Sequence, residues 1–178
     1  MRSFLYSKLA LTNIKKNSKT YIPYLLTGTL TVAMYYIINS IVFNEGIKEM
    51  PGAGSLTQII GMGIGIVAIF ACIFLFYTNS FLMKQRKKEL GLYNVLGMGK
   101  RHIAKMMLLE TAMTAVFDIA AGLVCGMVFS KLMFLLLLKI SRLSTPLTFI
   151  IEPKAIVMTV VLFICIFGVT MLYNMWQV

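Results

Sequence analysis

Few residues in this chain of 178 could do chemistry: it holds six carboxylates and one histidine against seventeen Lys and Arg. No phosphate loop of the form GxxxxGK[ST] is present. Gly91, Gly97 and Gly99 precede Lys100 and Arg101 at the wrong offsets, with no strand before them. His102 stands among Lys100, Arg101 and Lys105 and reads as a solvated loop histidine rather than a general base. Cys72, Cys125 and Cys165 lie in apolar runs without CxxC spacing or a histidine cluster. They are expected to be buried small apolar residues, with no disulfide framework and no metal site. The remaining candidate is Asp118, an isolated carboxylate inside an apolar run, where such a group is costly and faces a partner or water. Pairing with Thr111, Thr114 or a residue on a further helix competes with a transport role. Glu110 stands near the edge of the same run and calls for no special partner.

The elements that must position these residues follow from composition. The chain is 59% hydrophobic and 13% charged, against about 25% charged in an ordinary soluble domain. Its apolar residues gather in runs long enough to cross a hydrocarbon core of roughly 30 Å at about 1.5 Å per residue. The fold class is therefore an all-α integral membrane protein. Four spans are expected at about 21–43, 56–83, 108–138 and 155–176, so that the transmembrane domain covers about 21–176. Lys131 interrupts the third run, and the stretch to Ile140 is either the top of that helix or a separate interfacial piece. Residues 1–20 read as a basic interfacial segment, not a cleaved signal peptide, because basic residues continue to Lys19 and no small-residue cleavage pattern follows. Two glycine pairs, Gly61 with Gly65 and Gly122 with Gly126, have the GxxxG spacing that lets helices approach closely in lipid.

The basic residues orient the spans. Five precede the first span, and seven lie in Lys84–Lys105 between the second and third. The two outer loops hold Lys48, and Lys139, Arg142 and Lys154, respectively. That asymmetry puts both termini and the Lys84–Lys105 loop in the cytoplasm. Tyr21, Tyr24, Tyr77, Tyr173 and Trp176 then fall near cytoplasmic boundaries, where aromatic belts lie. The net charge of +11 is nearly all juxtamembrane, which the orientation rule and attraction to anionic lipid explain; nucleic acid is not an expected partner. Were Lys84–Lys105 helical, Leu92, Val95, Leu96, Ile103 and Met106 would share one stripe. A stripe of that kind suits docking onto another protein.

The stretch from Tyr77 to Leu109 resembles the FtsX-type permease domain of ABC transporters, and is most similar to the bacitracin and antimicrobial-peptide resistance (Bce-type) branch. The resemblance rests on a basic run after the second span, then Lys88-Glu89-Leu90-Gly91-Leu92-Tyr93, Leu96-Gly97-Met98 and Lys100-Arg101-His102-Ile103, leading into Glu110. The opening Lys8-Leu9-Ala10-Leu11-Thr12-Asn13-Ile14-Lys15-Lys16-Asn17 followed by Tyr21 is similar to that branch as well, and the FtsX-like portion is placed at about 56–176. The short Asn44–Ser55 connection also favours this branch over permeases with a large outer domain between spans one and two.

The resemblance implies a short cytoplasmic coupling helix between spans two and three, seated in a groove of a separate ATP-binding subunit. Its partner-binding residues would be Lys88, Glu89, Leu90, Gly91, Leu92, Tyr93, Val95, Leu96, Gly97 and Met98. Glu89 and the basic residues would make charged contacts, Leu92, Tyr93, Val95 and Leu96 an apolar knob, and the glycines the turns. It also implies a non-catalytic subunit of the bacterial cell membrane that binds no cofactor itself, with ATP on the partner. The substrate would be an amphipathic molecule such as a peptide antibiotic. The remaining permease half, a membrane sensor kinase and the lipid bilayer are the other partners implied. Permeases of this branch have more spans and a large outer domain later in the chain, so a chain ending at Val178 is expected to be an N-terminal part, a split gene product or a truncated frame. Two rival readings are a small autonomous channel or carrier, built on the GxxxG pairs, Asp118 and Lys131, and a non-transporting scaffold that presents the basic loop to a sensor kinase.

The orientation has a direct test. In a background lacking the three native cysteines, single cysteines at Lys48 and Arg142 should react with an impermeant maleimide added outside the cell, and one at Lys88 should react only after lysis. External labelling at Lys88 would reverse the orientation.

Overall fold

The computed structural model describes residues 12, 14–44, 53–95, 99–141 and 152–176. Within them lie four long helices and no strand: α1 (Ser18–Phe43), α2 (Ala53–Val95), α3 (Lys100–Ser141) and α4 (Pro153–Trp176). Each contains a segment long and apolar enough to cross a membrane. The chain is a multi-pass membrane protein. Most of residues 1–20, the expected interfacial segment, lies outside the described residues, as do Leu96, Gly97 and Met98.

In lipid, apolar side chains gain nothing by leaving one hydrocarbon surroundings for another, so small and polar residues decide which helix faces meet. In α1 the buried stripe is Tyr21, Tyr24, Gly28, Val32, Tyr35 and Asn39, at helical spacing, while Ile22, Leu26, Leu30 and Met34 point outward. The α4 stripe is Ala155, Thr159, Phe163, Phe167, Thr170 and Asn174. That of α3 recurs every fourth residue from Glu110 through Thr114, Asp118, Gly122 and Gly126 to Ser130. Helix α1 is the hub: it touches all three others, and α3 most extensively, whereas α2 and α3 scarcely meet. An edge-on ring contact between Tyr35 and Phe163, centroids 5.9 Å apart, ties α1 to α4. Asn79 and Asn174 exchange amide hydrogen bonds of 2.8 and 3.1 Å between α2 and α4, both side chains buried.

The two glycine pairs part company. A Cβ on Gly122 would fall 2.5 Å from Val32 Cβ and 2.9 Å from the Thr29 carbonyl, and one on Gly126 would fall 2.9 Å from the Tyr36 ring. These glycines bring α3 against α1. Gly61 and Gly65 have open space where a Cβ would stand. They lie in the half of α2 before Ala71, where every side chain whose burial is described is exposed or half-buried.

Other expectations change on meeting the fold. Cys72 and Cys165 are exposed on outward helix faces and Cys125 is half-buried, so they are not core residues. Tyr21 and Tyr24 are 2% exposed and form part of the bundle interior rather than a belt. Tyr77 and Trp176 do project outward. Helix α3 runs unbroken past Lys131, so the stretch to Ile140 is no separate piece.

These contacts predict a contrast between chemically identical changes. Gly122→Ala should lower the melting temperature of the purified chain, because overpacking a tight contact costs about 1–3 kcal/mol. Gly61→Ala and Gly65→Ala should leave melting unchanged or raise it, since alanine is the better helix former by about 1 kcal/mol. Equal effects at the two pairs would contradict the α1–α3 contact.

Candidate functional site

The end of the bundle that carries the basic segment is built around a buried arginine. Arg86, 4% exposed on α2, donates from Nη1 to Tyr21 Oη on α1 at 2.7 Å and to the carboxylate of Glu110 on α3. Its guanidinium also stands 5.6 Å from the centre of the Tyr21 ring. Glu110 is 2% exposed, and a buried charge is tolerated only when paired and hydrogen-bonded. The sequence offers no reason to single out Glu110, because its position near a span end is compatible with solvent. Burial comes from α1 and α2, whose side chains close over it. Beside this pair lies a cavity of about 10 Å³, lined in part by Tyr24, Asn79, Arg86, Glu110, Thr114 and Asn174, which is room for about one water.

One turn further along α2, Glu89 lies 3.8 Å from Arg86 Nε and accepts from Asn17 Nδ2 at 2.9 Å through each of its carboxylate oxygens. Asn17 occupies the N-cap position of α1, yet its side chain makes no cap hydrogen bond. Its carbonyl still accepts from the Thr20 and Tyr21 amides at 2.9 and 3.1 Å. Thr20 Oγ1 adds a 2.9 Å bond to Gln85 Oε1. The start of α1 is thereby fastened to α2 at the point where α2 leaves its apolar segment.

Beyond Lys87, α2 continues as helix to Val95 with no break. The coupling segment therefore does not form a separate short helix among the described residues: it is shared between the end of α2 and the first turns of α3. Leu92 is 59% and Val95 85% exposed, and Gly91 and the half-buried Glu89 lie on the same extension. Lys88, Leu90 and Tyr93 fall in its helical backbone. Gly91 is helical rather than a turn. Gly99 makes the turn into α3, its carbonyl accepting from the His102 and Ile103 amides at 2.9 and 3.3 Å. The stripe expected to join Leu92 and Val95 with Ile103 and Met106 is divided, since Ile103 and Met106 are 3% and 1% exposed in the bundle. Gly99 is not helical, so a single periodicity does not run across the two halves.

Asp118 is fully buried against α1. Thr29 Oγ1 lies 3.4 Å from its Oδ1, and its carboxylate occupies the space that a side chain on Gly28 would need. Thr29, not Thr111 or Thr114, is the neighbour. Thr114 Oγ1 instead bonds the carbonyls of Glu110 and Thr111 on its own helix at 3.1 and 3.0 Å. Spacing within α3 could not reveal Gly28, on a different helix far back in the chain, as the small residue that admits the carboxylate.

Residues 61–178 match the family model described as FtsX-like permease C-terminal. The bacitracin export permease protein BceB of Bacillus subtilis is 30% identical over 172 residues, which are 94% of this chain and 26% of that protein. The ABC transporter permease YvcS of the same organism is 28% identical over 96% of this chain and 27% of its own length. BceB of Halalkalibacterium halodurans is 26% identical over 93% and 26%. The chain spans about a quarter of the length of these relatives.

Asp118 gives a test of hydrogen bonding against charge. Asp118→Asn keeps the shape and a polar contact to Thr29, and should leave membrane abundance and melting close to wild type. Asp118→Leu strands the Thr29 hydroxyl beside a larger apolar group and should cost about 1–3 kcal/mol. Loss of function in Asp118→Asn at normal abundance would instead assign a charge-dependent role.

Proposed function

The chain belongs to the FtsX-like permease family, and from that premise we propose that it is a transmembrane part of an ABC transporter which docks on a separate ATP-binding subunit. The docking surface is the cytoplasmic extension of α2. The observation that carries this reading is the exposure of Leu92 and Val95 on a continuous helix that has already left its apolar segment. Exposed apolar groups outside lipid mark interaction surfaces. Lys84 and Lys87 before them on α2, and Lys100 and Arg101 at the start of α3, are exposed as well, suiting an acidic surface on the partner. Both termini lie in the cytoplasm on this reading, in keeping with the basic-residue asymmetry.

ATP binding and hydrolysis reside on the partner, and this chain supplies the membrane path and the lever. The similarity to bacitracin export permeases supports an amphipathic peptide antibiotic as the substrate class, exported or lifted from the membrane. The chain spans about a quarter of the length of the permeases it matches, and further spans would complete the path.

Pull-down with the ATP-binding subunit tests the docking reading. Burying two apolar side chains contributes about 1.5–3 kcal/mol each before association costs, so Leu92→Asp with Val95→Asp should weaken recovery by more than about tenfold. Lys87→Gln with Lys88→Gln should do less, since solvated charge pairs contribute under about 1 kcal/mol. Equal recovery of wild type and the Leu92/Val95 variant at equal membrane abundance would remove the docking role and favour an autonomous channel or a scaffold.

A further inference from the structure

The base of the docking extension is held by a single side-chain cluster. Helices α2 and α3 make less contact than any other pair in the bundle, although they flank the segment that would meet the partner. Within the membrane little of α2 is buried, and its apolar outward face can turn against lipid without loss. Deeper in the bundle such turning is opposed by the buried Ala71, Leu75 and Leu82 and by the Asn79–Asn174 amides. At the base of the extension it is opposed by a polar cluster at one level: Arg86 with Glu110 and Tyr21, Glu89 with Asn17, and Gln85 with Thr20. Among the described residues these bonds reach both other helices that approach the extension, α1 through Asn17, Thr20 and Tyr21, and α3 through Glu110.

Val95 lies beyond Arg86 on the same unbroken helix. At about 100° and 1.5 Å per residue, it stands roughly half a turn round and about 14 Å further along. With Arg86 facing into the bundle, Val95 must face away from it, and Leu92 stands about a third of a turn from Arg86. Their exposure agrees with that placement. The direction in which the apolar surface is presented is thus inherited from the position of Arg86.

We propose that Arg86 and Glu110 are positioning residues: their ion pair sets the rotation and tilt of α2 at the membrane edge, and so aims Leu92 and Val95 at the ATP-binding subunit. This inference rests on the docking role given to that surface, but the geometry it asserts belongs to this chain alone. When the partner moves the extension, the fixed base makes α2 pivot as one rod, and the displacement reaches α1 and α3 through the same bonds. Release of the pair lets the extension turn without the bundle following.

The test uses the whole chain in lipid nanodiscs, with Cys72, Cys125 and Cys165 replaced by serine and no partner present. Nitroxide labels at Val95→Cys and Lys19→Cys report the distance between the extension and the start of α1 by pulsed electron resonance. Wild type should give one narrow distance peak. Arg86→Gln and Glu110→Gln should each lose that peak to a broad distribution, and the exchange of Arg86→Glu with Glu110→Arg should restore it. Glu110→Gln preserves shape, so it keeps the test open if Arg86→Gln fails to insert. A narrow, unshifted peak in Glu110→Gln overturns the proposal. A broad distribution in the exchanged double variant also overturns it, because the single changes would then have acted by general loosening. Failure of the pull-down leaves these distances untouched, so the two readings fail separately.

Discussion

A buried arginine and a buried glutamate at the rim of a membrane bundle set the terms for everything packed around them. Either charge alone would carry a desolvation penalty of several kcal/mol, so neither is stable there without the other. Arg86 comes from α2 and Glu110 from α3, and Tyr21 of α1 accepts from the same guanidinium nitrogen that reaches Glu110. Three helices must therefore converge at one level before the charges are paired. Water cannot substitute deeper in the membrane, and lipid cannot substitute at all. The pair does not add much net stability, as buried ion pairs seldom do. It excludes arrangements in which the helices slide or rotate past one another.

The rest of the bundle uses the same logic with weaker groups. Gly28 leaves room for the Asp118 carboxylate, Gly122 lets Val32 and the Thr29 carbonyl approach, and Gly126 receives Tyr36. Because hydrocarbon surrounds the helices, leaving out a methyl group at these contacts matters more than burying another one: closeness of backbones is what lipid cannot imitate. The reciprocal Asn79–Asn174 amides do for α2 and α4 what the ion pair does for α2 and α3. Helix α1 becomes the hub because its inward stripe combines Gly28 with four buried tyrosines, Tyr21, Tyr24, Tyr35 and Tyr36, that reach several neighbours at once. In the half of α2 before Ala71 no described side chain is fully buried, and Ile64, Val67 and Ala68 pack against the core from its partly buried face.

Legibility divided along these lines. The four spans and the helical class were readable because length and apolarity act residue by residue, and lipid imposes them everywhere. Which face turns inward was not readable, because the deciding partners lie far apart in sequence. Gly61 with Gly65 and Gly122 with Gly126 have the same spacing, and only the second pair meets Val32, Thr29 and Tyr36. Glu110 and Tyr21 stand where a span end and an aromatic belt are expected, and nothing local shows that α2 covers them with Arg86. The cysteines were misplaced for the opposite reason: an apolar side chain in a membrane can face outward at no cost, so apolarity does not imply burial. The charge and apolar residues of the basic segment gave rise to the docking expectation, but its division between two helices depended on where Gly99 turns the chain.

That division changes what the segment can do. A separate coupling helix, joined by loops at both ends, could rock independently of the spans and pass little motion to them. An extension of α2 has no hinge of that kind among residues 53–95, and a proline, which would break the rod, is absent from the helix. Between Arg86 and Val95 its one glycine is Gly91, helical and unpacked, where glycine weakens the helix by about 1 kcal/mol relative to alanine. Gly91 lies between Arg86 and Leu92, so any bending there would separate the exposed leucine from the cluster that orients it. On the proposed docking role, transmission would depend on the stiffness of the helix between Arg86 and Val95. The polar base and the open glycine thus act in sequence along one rod. On that proposed role, the base would fix where the extension points, and the glycine would limit how hard a partner could pull before the end gives way.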